Sequence, residues 1–198
     1  PTVNAGVDHT FCSGGSAQLG TTTTAGYLYS WAPATGLSSS SVSNPTVTLT
    51  NGGATPTTNT YILTTDLNGC TNKDTVVITV NPTPLSNAGN NQFLCSGSST
   101  TIGTISTSGY TYSWSPSSGL SSSTVSNPTV TWTTSGGQPD TLNYTVTTTN
   151  SYLCTSTDNV QIIVNVLPTV TATSSPVSIC PGASATLTAT GANLYSWA

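Results

Sequence analysis

The feature that most constrains this chain is that it contains its own near-copy. Pro1, Asn4, Ala5, Gly6, Cys12, Ser13 and Gly14 recur 83 positions later as Pro84, Asn87, Ala88, Gly89, Cys95, Ser96 and Gly97. The register holds through Tyr27, Tyr29, Ser30, Trp31 and Pro33, which return as Tyr110, Tyr112, Ser113, Trp114 and Pro116. Asn44-Pro45-Thr46-Val47 returns as Asn127-Pro128-Thr129-Val130. Cys70 matches Cys154 at 84, which places a one-residue insertion in the turn before that cysteine. A third copy opens near Pro168, shows Cys180, Leu187, Tyr195 and Trp197, and stops at Ala198. The expected organisation is residues 1–82 as a first repeat, 83–166 as a second, and 167–198 as the beginning of a third, the whole being a window on a longer chain.

Each copy reads as strands. Tyr27, Tyr29 and Trp31 alternate to one face, as do Val76, Ile78 and Val80, and Val160, Ile162 and Val164. Leu67-Asn68-Gly69 before Cys70 is a hairpin signal, because Asn-Gly tolerates positive φ. About seven short strands in roughly 83 residues, around a central Trp, predict an all-β immunoglobulin-like sandwich with essentially no helix. Trp31, Trp114 and Trp197, with Tyr29 and Tyr112, are the expected core. Trp132 takes the slot of Leu49, so the two cores are not identical.

Only 3% of the 198 residues are charged, and Lys and Arg together number one. Neither a nucleic-acid backbone nor an anionic membrane surface has a basic patch to hold. No apolar run approaches the roughly 20 residues that span a bilayer, and no signal peptide or anchor is read in this stretch. Five cysteines without a Cys-x-x-Cys pair, and a single His, argue against zinc and for disulfides outside the cytoplasm. No cofactor is expected.

The run from Pro1 to Gly14 resembles a known repeat, as do Tyr-Ser-Trp-Ala-Pro-Ala-Thr-Gly-Leu, Asn-Pro-Thr-Val, Asn-Gly-Cys and Thr-Val-Val-Ile-Thr-Val. These motifs are similar to the PKD-like repeats of giant bacterial surface proteins, among them gliding-motility adhesins exported by the type IX secretion system. The resemblance covers essentially the whole chain. It implies tandem sandwiches forming an extracellular stalk or filament at the cell surface. The partners it implies are neighbouring repeats of the same chain and, through distal regions, surface polysaccharide or another surface ligand. The sequence departs from the typical family pattern in lacking a Gly-Asp-Gly turn after Trp31 and Trp114, and Asp8 becomes Asn91.

Candidate sites are few. His9 beside Asp8 has no Gly-x-Ser-x-Gly elbow to serve, and no catalytic constellation is read. The five Asp are scattered, so a calcium cage at Asp8 or Asp158 would need distant ligands, and solvated turn residues are the expectation. Tyr27, Tyr29, Tyr110 and Tyr112 suit core and cross-strand packing better than a sugar platform. Type IX cargo of the resembling kind is often O-glycosylated at Asp followed by Ser or Thr and an apolar residue. Asp74-Thr75-Val76 and Asp140-Thr141-Leu142 fit, making Thr75 and Thr141 possible sites.

The cysteines leave two pairings open. The local one joins Cys12 with Cys70 and Cys95 with Cys154, leaving Cys180 alone. In an immunoglobulin-like topology, however, the first strand runs parallel to the last, which puts Cys12 and Cys70 at opposite ends of one sandwich. A bond needs Cα atoms about 4.4–6.8 Å apart. Stacked repeats favour Cys12 with Cys154 across the junction, leaving Cys70, Cys95 and Cys180 for neighbouring repeats. The function expected is a non-catalytic stalk segment of a giant adhesin serving surface attachment or gliding. The alternative is a carbohydrate-binding or spacer module of a secreted multidomain hydrolase.

Overall fold

A computed structural model describes residues 1–197. The first repeat builds six strands, β1 (His9–Cys12), β2 (Ser16–Gln18), β3 (Leu28–Ala32), β4 (Thr46–Thr48), β5 (Thr57–Leu67) and β6 (Cys70–Asn81). They form a four-stranded sheet in the order β1-β6-β5-β3, faced by the β2–β4 pair. The second repeat duplicates this with β7 (Gln92–Cys95), β8 (Ser99–Thr101), β9 (Thr111–Ser115), β10 (Thr129–Thr131), β11 (Asp140–Thr149) and β12 (Thr155–Asn165). Its large sheet runs β7-β12-β11-β9 and its small one is β8–β10. These are tandem immunoglobulin-like sandwiches. The count is six strands per repeat in place of the expected seven. Leu37 and Leu120 contribute only isolated bridges to Val47 and Val130, because the Pro- and Ser-rich segments around them are too irregular to extend a ladder.

Alternation decides the faces. Along β6, Val76, Ile78 and Val80 are fully buried while Thr75 looks outward, and β12 repeats this with Val160, Ile162 and Val164. The first core gathers Trp31, Tyr61, Leu63 and Val47, and the second Trp114, Tyr144, Val146 and Val130. Tyr29 and Tyr112 pack against these cores half-buried. Each core indole also has its polar edge satisfied, since Trp31 Nε1 donates to Val42 O and Trp114 Nε1 to Val125 O, both at 2.9 Å.

Gly20 and Gly103 are required by this packing. Both have positive φ, and a Cβ at either would meet the carbonyl oxygen of Ser43 at 1.9 Å or of Ser126 at 2.1 Å. The same backbone sends its N–H to Ala5 O and Ala88 O, both at 2.8 Å, closing the sandwich at one corner.

The third copy supplies β13 (Thr171–Ser175) and β14 (Thr186–Thr190), which pair antiparallel with each other and with nothing else among the described residues. Trp197 is not a core residue here and stands 54% exposed. Trp31 shares its core cluster with Val47, Leu63 and Val76 from later strands of its own repeat, and residues 168–198 hold no counterparts of those strands.

Candidate functional site

The site the two copies build together is the junction between them. β1 runs parallel to β6 with Cys12 opposite Asn81, and Ser13 N donates to Asn81 O at 2.8 Å. Cys12 therefore sits at the far end of the first sandwich, beside the Pro82-Thr83-Pro84 link. From the other side comes the turn joining β11 to β12. Cys12 and Cys154 form a disulfide with a Cα–Cα distance of 5.6 Å across a sequence separation of 142. Cys154 is 1% exposed. The local pairing is not formed: Cys70, Cys95 and Cys180 are free and exposed. Cys70 opens β6 while Cys12 pairs with its last residue, so the whole strand separates them.

Asn150 makes the second tie. It is buried, and its Nδ2 donates to Pro82 O at 2.8 Å. Its Oδ1 accepts from the backbone N–H of Tyr152 and of Cys154, both at 3.0 Å. One amide thus shapes the turn that presents Cys154 and holds that turn to the link. Ser156 Oγ adds a bond to Pro84 O at 2.7 Å, as Asn72 Nδ2 bonds Pro1 O at 3.1 Å in the first repeat. Asn150 was not picked out from the sequence. Its signal was the extra residue in that turn, headed by an Asn suited to bonding its own backbone two residues on. A cleft of about 470 Å³ opens beside the junction, lined by Gly52, Gly53, Pro82, Tyr110 and Tyr152 among others.

The carboxylates expected as solvated turn residues cap unpaired backbone N–H groups. Asp8 Oδ1 accepts from Val77 N, and Asn91 Oδ1 accepts equivalently from Gln161 N, both at 2.8 Å. An amide oxygen serves there as well as a carboxylate, so the position needs an acceptor and no charge. Asp74 and Asp158 likewise take the N–H of Ala5 and Ala88 at 2.8 Å. Among the described residues no cluster of His, Cys, Asp or Glu is arranged to hold a metal ion. His9 lies half-buried in β1 opposite Ile78.

Thr75 and Thr141 both lie exposed on outward faces. Their neighbouring carboxylates are engaged, Asp74 as above and Asp140 by Trp132 Nε1 at 2.8 Å. A second cleft, of about 350 Å³, is lined by Thr2, Thr22, Tyr27 and Tyr29 among others. The phenol oxygens there accept backbone N–H bonds, Tyr27 from Thr2 at 3.2 Å and Tyr29 from Thr24 at 2.8 Å.

No family model matches this chain, and no curated protein does. Among solved structures, the I-band fragment of titin is similar at 12% identity, over 95% of this chain and 74% of that one, with a TM-score of 0.37. The tandem IG1+IG2 pair of DIP-gamma is similar at 11% identity, over 80% and 94%, with a TM-score of 0.36. The insect immune protein hemolin is similar at 15% identity, over 82% and 46%, with a TM-score of 0.41. The class, tandem immunoglobulin-like sandwiches, rests on the sheet topology described above.

Proposed function

We propose that this chain is a non-catalytic, force-transmitting segment of an extracellular stalk. Its neighbouring repeats are its partners, and distal regions carry the adhesive surface. The finer reading is a giant cell-surface adhesin for attachment or gliding, exported by the type IX system. It draws on the resemblance of the repeat motif, with Thr75 and Thr141 as glycan acceptors.

The observation that carries the proposal is the disulfide from Cys12 to Cys154. Tension applied at the two ends of the repeat pair enters at Pro1, reaches Cys12, crosses the sulfurs to Cys154 and leaves along β12. The chain between the cysteines, most of both sandwiches, lies off that path. At about 3.4 Å per extended residue, the 142-residue separation corresponds to roughly 480 Å of contour withheld from stretching. What remains on the path reaches roughly 90 Å when taut. Two sandwiches, each about as long as twelve-residue β6 at 3.3 Å per residue, measure about 80 Å. The stapled pair is nearly inextensible even if its cores melt. The disulfide also supports the extracellular reading, since such bonds persist in oxidising surroundings.

Single-molecule pulling between residues 1 and 167 tests this. The oxidised chain is expected to lengthen by no more than a few tens of ångströms, and a reduced chain or the Cys12→Ser variant by about 480 Å. Equal lengthening with and without reductant would overturn the proposal.

A further inference from the structure

We propose that exposed Cys95 and Cys70 are the two halves of the same staple, each awaiting the sandwich on its own side, so that every junction along the stalk is closed as the Cys12–Cys154 junction is. The inference rests on the stalk reading for its setting and on the following geometry for its content.

Cys95 occupies the seat of Cys12. It lies opposite Asn165 at the end of a parallel pair, as Cys12 lies opposite Asn81. Ser96 N bonds Asn165 O at 2.8 Å where Ser13 N bonds Asn81 O at 2.8 Å. Gly97 N bonds Trp132 O at 2.8 Å where Gly14 N bonds Leu49 O at 2.9 Å. Cys70 occupies the seat of Cys154. Each stands six positions before the first buried valine of the hairpin's second strand, Val76 or Val160, Cys70 as the first residue of β6 and Cys154 immediately before β12. The links also match, since residues 81–84 run Asn-Pro-Thr-Pro and residues 165–168 run Asn-Val-Leu-Pro. A sandwich following Leu167 therefore begins at the spacing that brings Cys154 to Cys12. One member of each equivalent pair is bonded, Cys12 half-buried and Cys154 buried. The other is a free thiol at the end of the pair that faces no complete sandwich among the described residues.

The bond forms by thiol–disulfide exchange with a low-molecular-weight disulfide such as oxidised glutathione. The Cys95 thiolate attacks it, releases one glutathione and leaves a mixed disulfide. The facing hairpin cysteine then attacks the Cys95 sulfur, releasing the second glutathione. Two protein thiols are oxidised, one glutathione disulfide is reduced to two thiols, and the two thiol protons end on glutathione.

The test uses residues 1–167 joined in frame to a second copy of residues 1–167, which sets Val166-Leu167 before Pro1 and keeps the native spacing. Among the described residues neither core draws on residues beyond Val164, and β13 and β14 pair only with each other, so both sandwiches keep every core residue and strand in this part. After refolding at high dilution with oxidised and reduced glutathione, free thiols are alkylated in denaturant and disulfide-linked peptides are mapped. Two free thiols per polypeptide are expected, with a Cys95–Cys70 linked peptide and no covalent dimer. Changing the first copy's Cys95→Ser should raise the count to three. Four free thiols, a covalent dimer, or Cys95 joined to any other cysteine would overturn the inference. The thiol count is independent of how the chain behaves under force, so this result and the pulling result fail separately.

Discussion

The hairpins β5–β6 and β11–β12 share strands and register but end differently. The first closes through Asn68 and Gly69, both at positive φ, with Asp66 Oδ1 accepting the Gly69 N–H at 2.9 Å, and its cysteine is exposed. The second closes through residues 150–154, with Leu153 at positive φ, and its cysteine is buried. The first turn is self-sufficient, the tight two-residue kind that needs only local residues. The second draws on Asn150, whose side chain bonds a carbonyl of the preceding link. The two hairpin cysteines thus differ in their surroundings: Cys154 meets the preceding sandwich from a turn that Asn150 shapes, whereas Cys70 stands exposed beyond a two-residue turn.

The harshest way to break this comparison is to empty one core. Trp114→Ala should cost the second repeat about 3–5 kcal/mol, the usual loss for a buried large aromatic, and Trp31→Ala should cost the first repeat as much. Each core cluster is drawn from one repeat alone, so amide protection by hydrogen exchange should fall in the mutated repeat and persist in the other. Equal loss in both would show that the repeats unfold as one body, and the contrast between their hairpins would lose its meaning.

A finer cut is Asn150→Ala. It leaves the buried Pro82 carbonyl and the Tyr152 and Cys154 N–H groups without partners, which is expected to destabilise the second repeat by about 1–3 kcal/mol in urea denaturation. Reductant should also open the Cys12–Cys154 bond faster in this variant. An unchanged reduction rate would mean that the turn is held by the sulfur alone.

Much of the fold was legible because period and offset are written directly in the side chains. Trp31 and Trp114 carry the core, and the parallel placement of β1 on β6 separates Cys12 from Cys70. What was not legible depended on partners distant in sequence. Trp197 has the local pattern of Trp31, but burial comes from later strands. Asp8, Asp74 and Asp158 look like loop carboxylates until the backbone N–H groups of Val77, Ala5 and Ala88 are brought to them from about 70 residues away. Trp132 was visible as a departure from Leu49, but its tie to Asp140 was not, although that carboxylate stands where the first repeat has Thr57.

The smallest expected effect asks whether the repeats are alike away from their hairpins. Tyr61 and Tyr144 are buried, donate from their hydroxyls to Thr35 O at 2.6 Å and Ser118 O at 2.7 Å, and burial raises both phenols above the ordinary value near 10. Below pH 10 each phenol is protonated in the folded and the unfolded chain alike, so its contribution is fully present and flat. As pH rises past 10 the unfolded chain gives up its proton first, and stability falls until the folded-state value has been passed. Both repeats should therefore weaken together in alkaline solution. Tyr61→Phe is expected to cost the first repeat about 1 kcal/mol at neutral pH through the lost hydrogen bond, and to flatten its alkaline decline while leaving that of the second unchanged. Denaturant melts at pH 7 and above pH 10, read separately for each repeat by hydrogen exchange, make the comparison. If the first repeat of Tyr61→Phe declined as steeply as before, the alkaline loss would belong to other groups.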